Sequence, residues 1–456
     1  MDKRRGVLNV SVSISSRIIL LASALVVRRL LIRYIGNDVN GLNSLYASII
    51  GMLTVAELGV GSAIVFSMYR PIVAGEKEKV AALYLLYKKL YRIIGAVIFW
   101  AGLCVIPFLP LLVNDYEKIN VNVYTTFFLT LVSVVLTYGY SAKTSLIVAH
   151  KNNYITTAIM TVSRLASDAL QIAAILIYKS YVAFLICSII ETLLIWGLTE
   201  ITARRLHGDI IAMNEFIDPA TKSQIVRNIK AMFMHKIGSI LVNSIDSMII
   251  SSFIGVVVLG RYSNYALIAR TLSGTLGLFF SPLTSIIGHL CVSESPERIE
   301  KYFKRFYILN YVLGAAAFLG YYIFVDYAVI LCFSEGLGVS RSVVYVITLN
   351  QFIQFMRMTT LLFRDASGSF YYDRWKPLAE GVANLILSLI FVKIFPENYR
   401  VVGVIVATII TNLLICHIVE PYVVFRHVLY KTPWGFYIKN FFFIALFASL
   451  LLGLRS

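Results

Sequence analysis

Residues Leu8–Arg33 read LNVSVSISSRIILLASALVVRRLLIR. A helix rises about 1.5 Å per residue, so a run of this length can cross a hydrocarbon core of about 30 Å. Its charges set it apart from an ordinary lipid-facing span. Arg17 stands near the middle, and Arg28, Arg29 and Arg33 follow towards the far end. At about 100° per residue Arg17 and Arg28 share a face. An arginine at membrane depth costs about 2.5–3.5 kcal/mol on insertion scales, so Arg17 is expected to face a cavity or a partner, not lipid. Arg28, Arg29 and Arg33 also have a plainer reading, as end residues whose stems reach back to the headgroups.

The stretch has an echo. Gly36, Gly41 and Tyr46 recur in the same spacing at Gly255, Gly260 and Tyr265, 219 positions on. The same shift carries Asn9 onto Asn228 and puts Lys236 where Arg17 stands. The chain therefore reads as two repeats, each opening on a cation-bearing helix, and transporters commonly build their binding sites where repeats meet.

Composition sets the class. Of 456 residues 59% are hydrophobic and 14% charged, and mean hydropathy is +0.79. These values indicate an all-α polytopic membrane protein. A net charge of +17 would suggest nucleic acid in a soluble chain. Here the cations sit at span ends in alternate loops, so no nucleic-acid partner is expected. Cys104, Cys187, Cys291, Cys332 and Cys416 are scattered through apolar runs and read as small core residues. The histidines form no ligand spacing, so no metal site and no cofactor is expected. Lys3, Arg4 and Arg5 precede the first span as in a signal peptide. That span is too long and too charged for one, so it is expected to remain as a helix.

Apolar runs predict thirteen spans, near 8–33, 42–69, 90–113, 122–149, 154–178, 181–204, 224–254, 257–290, 304–325, 341–363, 376–395, 401–425 and 436–454. The N-terminus and the loops around 70–92, 143–151, 204–230, 298–305, 364–376 and 426–439 hold roughly 26 lysines and arginines against about seven in the opposite loops, leaving aside the arginines that end the first span, which predicts a cytoplasmic N-terminus. The polar break at 206–223 divides an N-lobe of six helices, 1–205, from a C-lobe of six, 224–430. Residues 431–456 add one further helix. Two lobes of six spans both start inside, so they are expected to be related by a pseudo-two-fold axis along the membrane normal.

Polar groups within the spans mark candidate sites. On the fifth span Thr157, Thr161, Arg164, Asp168 and Gln171 share a face that lipid would not accept. A structural Arg164–Asp168 pair is the alternative reading. Lys236, Ser239, Asn243 and Asp246 form a comparable stripe on the seventh span. Glu57 interrupts the second span beside Gly59 and Gly61, where it either binds a proton or pairs with an arginine. Arg270 and His289 lie on the eighth span, Arg357 on the tenth, and Glu380 with Asn384 on the eleventh. Walker loops, GxSxG elbows and aqueous loops with clustered carboxylates are missing, which argues against ATP-driven transport and against an enzyme.

Several motifs carry a resemblance: Glu57-Leu58-Gly59-Val60-Gly61-Ser62-Ala63-Ile64 with Tyr69-Arg70-Pro71, Tyr262-Ser263-Asn264-Tyr265, Phe363-Arg364-Asp365-Ala366, Asp373-Arg374-Trp375-Lys376-Pro377-Leu378-Ala379-Glu380 and Glu420-Pro421-Tyr422. In these the chain resembles the polysaccharide flippases of the multidrug/oligosaccharidyl-lipid/polysaccharide transporter superfamily. It departs from them at Gly288-His289, where the family has Gly-Asn, and in carrying one helix beyond twelve instead of two.

The resemblance implies two MATE-like six-helix bundles around a central cavity that opens to each side in turn. The implied cargo is undecaprenyl-pyrophosphate-linked oligosaccharide, exported across the bacterial cytoplasmic membrane for capsule, exopolysaccharide or O-antigen synthesis. Polysaccharide polymerase and glycosyltransferases would be the functional partners. On this reading Arg17, Arg28, Arg164, Lys236, Arg270 and Asn243 bind the anionic substrate. Glu57, Asp168 and Asp246 are the candidates for coupling to H+ or Na+. A cation-coupled multidrug antiporter of the same fold is the alternative. It would want acidic residues to dominate the spans, whereas here the cations match or outnumber them. A membrane-embedded glycosyltransferase would need a large outward loop with catalytic groups, and the outward loops reach only about 15 residues.

Overall fold

Backbone amides in hydrocarbon must find their partners within the segment, so a chain this apolar is driven to helix. The computed structural model describes residues 3–57, 60–114, 119–215, 244–280 and 283–454, and every regular element among them is helical. Contacts divide the chain into two units, Met1–Lys236 and Ile237–Ser456.

The first unit holds α1 (Lys3–Tyr34), α2 (Asn37–Leu53), α3 (Val60–Ala74), α4 (Lys77–Val105), α5 (Val123–Thr137), α6 (Ser141–Ala149), α7 (Asn153–Tyr178) and α8 (Tyr181–Ala212). Within it α1 packs on α2 and α7, α7 on α8, and α5 on α8. The second unit opens with α9 (244–253). It continues with α10 (Val256–Phe280), α11 (Leu283–Ser293), α12 (Pro296–Cys332), α13 (Arg341–Met356), α14 (Met358–Ala366), α15 (Lys376–Ile394), α16 (Arg400–Thr411), α17 (His417–His427) and α18 (Trp434–Gly453). Here α15 packs on α16, α13 on α12 and α16, and α14 on α11. Eight helices among the described residues are long and apolar enough to cross a membrane, as befits a multi-pass membrane protein.

The echo in the sequence has a backbone counterpart. Leu31 O accepts from Ile35 N and Gly36 N at 3.0 and 3.2 Å, and Ile250 O accepts from Ile254 N and Gly255 N at 3.0 and 2.9 Å. Gly36 and Gly255 then turn the chain at φ 139° and 135°, a region that side chains avoid. Helices open next at Asn37 and Val256, then at Lys77 and Pro296, and later at Tyr181 and Arg400. Each pair is separated by the same 219 positions. Tyr46 and Tyr265 are both buried and both donate, to Val123 O at 3.0 Å and to Asp326 Oδ1 at 2.7 Å.

Five predicted spans are not single helices. The second breaks between α2 and α3 through a 3-10 turn at Thr54–Glu57. The third passes through a 3-10 turn at Ile106–Phe108, the fourth breaks at 138–140, and the tenth at Arg357. The twelfth passes through a π turn at Asn412–Cys416. The breaks of the fourth and tenth spans fall at matched positions of the repeat, Tyr138 and Arg357. Hydropathy sees only an uninterrupted apolar run at these places. Such irregular backbone is tolerated at depth only where protein covers it or water reaches it.

At the break of the fourth span Gly139 lies against Trp196, and an added Cβ would sit 2.5 Å from the indole. Overpacking typically costs about 1–3 kcal/mol. Gly139→Ala should lower the thermal midpoint of the purified protein accordingly, and Trp196→Leu in the same chain should restore most of the loss. An unchanged midpoint for Gly139→Ala would show that the indole yields freely.

The last helix is bound to its unit by a directed chain. Tyr307 Oη donates to Asn440 Oδ1 at 2.7 Å, and Asn440 Nδ2 reaches His417 Nδ1 at 2.9 Å. His417 Nε2 meets the Ile353 carbonyl at 3.0 Å. A carbonyl only accepts, so the proton sits on Nε2 and Nδ1 receives the amide. Phe447 stacks on Phe352 with centroids 3.7 Å apart. The opposite face, with Ile438, Phe442 and Leu452, is exposed as lipid would require.

Candidate functional site

Among the described residues polar clusters interrupt the apolar packing of both units, in the second as an extended network. The first surrounds Glu57, placed at the end of the 3-10 turn that breaks the second span. Its two carboxylate oxygens accept from Tyr91 and Tyr138, each at 2.9 Å. Tyr91 stacks on Tyr87 at 4.3 Å, and Ser145 donates to the Tyr87 hydroxyl at 3.0 Å. Gly61 permits this: a Cβ there would stand 2.9 Å from both tyrosine hydroxyls. The alternative of an arginine partner is not met among the described residues, where two phenols hold the carboxylate instead.

The second cluster is the stripe on α7. Arg164 Nε lies 2.9 Å from Asp168 Oδ1, and its Nη1 lies 3.2 Å from Glu191 Oε2 on α8. Ser23 of α1 donates to Asp168 Oδ2 at 2.6 Å, and Gln171 to Ser188 at 2.9 Å. Asp168 and Gln171 are buried, while Arg164 is partly exposed. The arginine therefore faces two carboxylates, and the cluster joins α1, α7 and α8. Glu191 was absent from the expected stripe because it comes from the next helix. Its place in an apolar run of α8 was the available signal.

The network in the second unit starts at Asp246 on α9. Thr408 Oγ1 donates to its carboxylate, 3.0 and 3.1 Å from the two oxygens, and receives Asn384 Nδ2 at 2.8 Å. One turn on, Asn412 Nδ2 donates to Thr408 O at 3.0 Å, and Asn412 Oδ1 accepts from Arg357 Nη1 at 2.6 Å. Arg357 grips Glu420 with two donors, Nε at 3.0 Å and Nη2 at 2.6 Å. Lys376 joins them, 2.7 Å from Glu420 and 3.0 Å from Glu380, whose other oxygen stands 3.7 Å from Arg357. Two cations thus balance two carboxylates, all largely buried. Lys376 and Glu420 were legible only as parts of a family motif. Their partnership needs three helices to meet, although the i,i+4 spacing of Lys376 and Glu380 was a local hint.

Asp246 also opens onto a cleft. Tyr262, Arg270, Asn350, Gln351, Gln354 and Thr408 line it with Asp246, and it encloses about 500 Å³ including the part open to solvent. Asp246 and Arg270, expected from the sequence as separate polar positions, share this cleft. Arg270 is exposed and its Nε donates to Ala266 O at 3.2 Å.

The remaining expected residues are dispersed. Arg17 is exposed, halfway along α1, and has no ion-pair partner among the described residues. Arg28, nearer the end of α1, is half-buried and engaged with neighbours. Lys236 and Asn243 lie outside the described residues, as does Ser239. His289 is exposed, with Ser293 3.4 Å from its Nδ1. Among the described residues no group of three histidine, cysteine, aspartate or glutamate side chains could hold a metal ion.

Comparison with known proteins places the fold. No family model matches the chain, and no curated protein matches it by sequence. Solved structures do. An inward-facing multidrug-resistance MATE family transporter of the MOP superfamily aligns with a TM-score of 0.69 at 12% identity, covering 99% of each chain. The lipid II flippase MurJ, in an inward closed conformation, aligns at 0.66 and 12% identity over 98% of each chain. A MOP superfamily transporter from Pyrococcus furiosus, described as having a binding pocket of reverse polarity, aligns at 0.57 and 15% identity over 93% of this chain and 94% of its own. The chain therefore has the MATE-like transporter fold. These neighbours are transporters and flippases.

Proposed function

We propose that this protein is a flippase that moves undecaprenyl-pyrophosphate-linked oligosaccharide outwards across the bacterial cytoplasmic membrane by alternating access, with its N-terminus in the cytoplasm and the chain divided into lobes at 206–223. The observation that carries the reading is the open cation halfway along α1. Asp168, Glu191, Glu380 and Glu420 are each countered by arginine or lysine, whereas Arg17 is exposed without an ion-pair partner among the described residues. A cation left open halfway along a span suits an anionic cargo such as a pyrophosphate. The fold is compatible, being that of a lipid II flippase among others.

The opposing reading, a cation-coupled multidrug antiporter, has one observation in its favour: the carboxylate of Asp246 lines a cleft. The two readings separate in proteoliposomes. A flippase delivers a labelled undecaprenyl-pyrophosphate oligosaccharide to the outer leaflet. An antiporter accumulates an organic cation such as ethidium and leaves the lipid in place, which would overturn the proposal.

Transport against a gradient requires a second species that favours one conformational state, because a ligand shifts an equilibrium only by its differential affinity. H+ or Na+ at Asp246 fills that role, with Glu57 as the second candidate and Asp168 the third. Asp246→Asn should keep substrate binding and lose the response to imposed proton or sodium gradients. If Asp246→Asn and Glu57→Gln both retain the wild-type gradient response, neither is a coupling site.

A further inference from the structure

The first unit carries a concentration of positive charge that the transport reading does not use. Tyr84, Lys88 and Arg92 recur every fourth residue along α4 and so share one face. That face meets α6, bearing Lys143, and α8, bearing Glu200 and Arg204, since the three helices pack on one another. Lys143 contacts Glu200 directly, and Arg204 Nε lies 2.6 Å from the other oxygen of the same carboxylate. Lys88 lies within electrostatic reach of Arg92, Lys143, Glu200 and Arg204, and Tyr84 of Glu200, Arg92 and Arg204. Lys143 and Arg204 thus share the single carboxylate of Glu200, and Lys88 and Arg92 add two further cations beside them. The Tyr84 ring is buried, and its hydroxyl has no hydrogen-bond partner among the described residues.

The setting points to the source of the missing anion. Immediately beyond the cations the outer faces of the same helices turn apolar and exposed. Ile93 and Val97 follow Arg92 on α4, and Leu198 and Ile201 flank Glu200 on α8, all between 40 and 52% exposed. Charge at the end of a bundle beside an exposed apolar wall matches a phospholipid, with its phosphate at the cations and its chains along the wall. Basic pockets between helices bind anionic headgroups on this principle.

We propose that Lys88, Arg92, Lys143 and Arg204 form a binding site for the phosphate of an anionic phospholipid, with the Tyr84 hydroxyl available to the same group. The site lies wholly in the first unit, apart from Arg17 and the Asp246 network, and does not depend on the identity of the transported cargo.

The test is native mass spectrometry of the full chain in detergent, titrated with phosphatidylglycerol and, as reference, phosphatidylcholine. The wild type should prefer phosphatidylglycerol. Lys88→Gln with Arg92→Gln should weaken that lipid at least about tenfold, equivalent to about 1.4 kcal/mol, and leave phosphatidylcholine unchanged. Arg204→Gln alters an exposed side chain and should fold normally, so its expected several-fold loss reports on binding even if the double variant fails to fold. Lys79→Gln, an exposed lysine paired with Glu76, should have no effect. Equal phosphatidylglycerol affinity in the wild type and Arg204→Gln would overturn the site. Inorganic phosphate is the competing source: if it occupies the cluster at millimolar concentration while lipid binding ignores the substitutions, the lipid assignment fails.

Discussion

Glu420→Ala is expected to lower stability by about 3–5 kcal/mol, because it breaks a buried ion cluster from its centre. Glu420 receives two donors from Arg357 and one from Lys376. Without it, Arg357 and Lys376 retain Glu380 alone, at 3.7 and 3.0 Å, and one positive charge stays buried without compensation. Arg357 also marks the point where the tenth span changes from α13 to α14, and through Asn412 it reaches the π turn of the twelfth. Loss of the anchor should therefore loosen both interruptions together. Denaturant or thermal titration in detergent measures the effect. The control is Glu300→Gln, which removes a carboxylate from the exposed lysines Lys304 and Lys431 and should cost about 1 kcal/mol or less. A second variant, Glu420→Gln with Lys376→Met, restores neutrality and should recover a large part of the loss. Wild-type stability in Glu420→Ala would mean that the cluster is already solvated.

Arg17→Ala should abolish most export while leaving the protein folded. Arg17 is exposed, so its removal creates no cavity and strands no carboxylate among the described residues. Hydrogen bonds to charged groups contribute about 1.5–3 kcal/mol, which corresponds to roughly 10- to 150-fold in binding of a pyrophosphate. Arg17→Lys keeps the charge and loses the two-pronged geometry, so an intermediate loss is expected. Flipping of labelled lipid-linked oligosaccharide in proteoliposomes measures both, alongside helical content and melting. Unimpaired flipping by Arg17→Ala would remove the main support for an anionic cargo. Arg164→Ala offers a contrast. Arg164 faces Asp168 and Glu191, so its loss should appear first as reduced stability of the first unit.

The fold was legible in the sequence because lipid imposes a severe rule. Long apolar runs must be helices, and every regular element among the described residues is one. The 219-residue repeat was equally legible, since Gly36 and Gly255 hold a conformation that few other residues tolerate. Within single helices the stripes were readable too: Arg164 and Asp168 lie one turn apart and do pair.

What the sequence left undetermined is where helices meet. Glu57 could have paired with an arginine, but the break in the second span and the bend at Gly139 bring two tyrosines to it instead. Lys376, Glu380, Arg357 and Glu420 are separate charges along the chain, and become one neutral cluster only when α13, α15 and α17 pack. The interruptions themselves are tertiary effects, invisible to a window that averages hydropathy. Composition and local spacing determined that this chain is a repeated, all-helical membrane protein with cations at depth. Tertiary packing decided which charges are spent on one another and which, like Arg17, are left open, because a charge buried in a low-dielectric interior is set by its nearest partner in space.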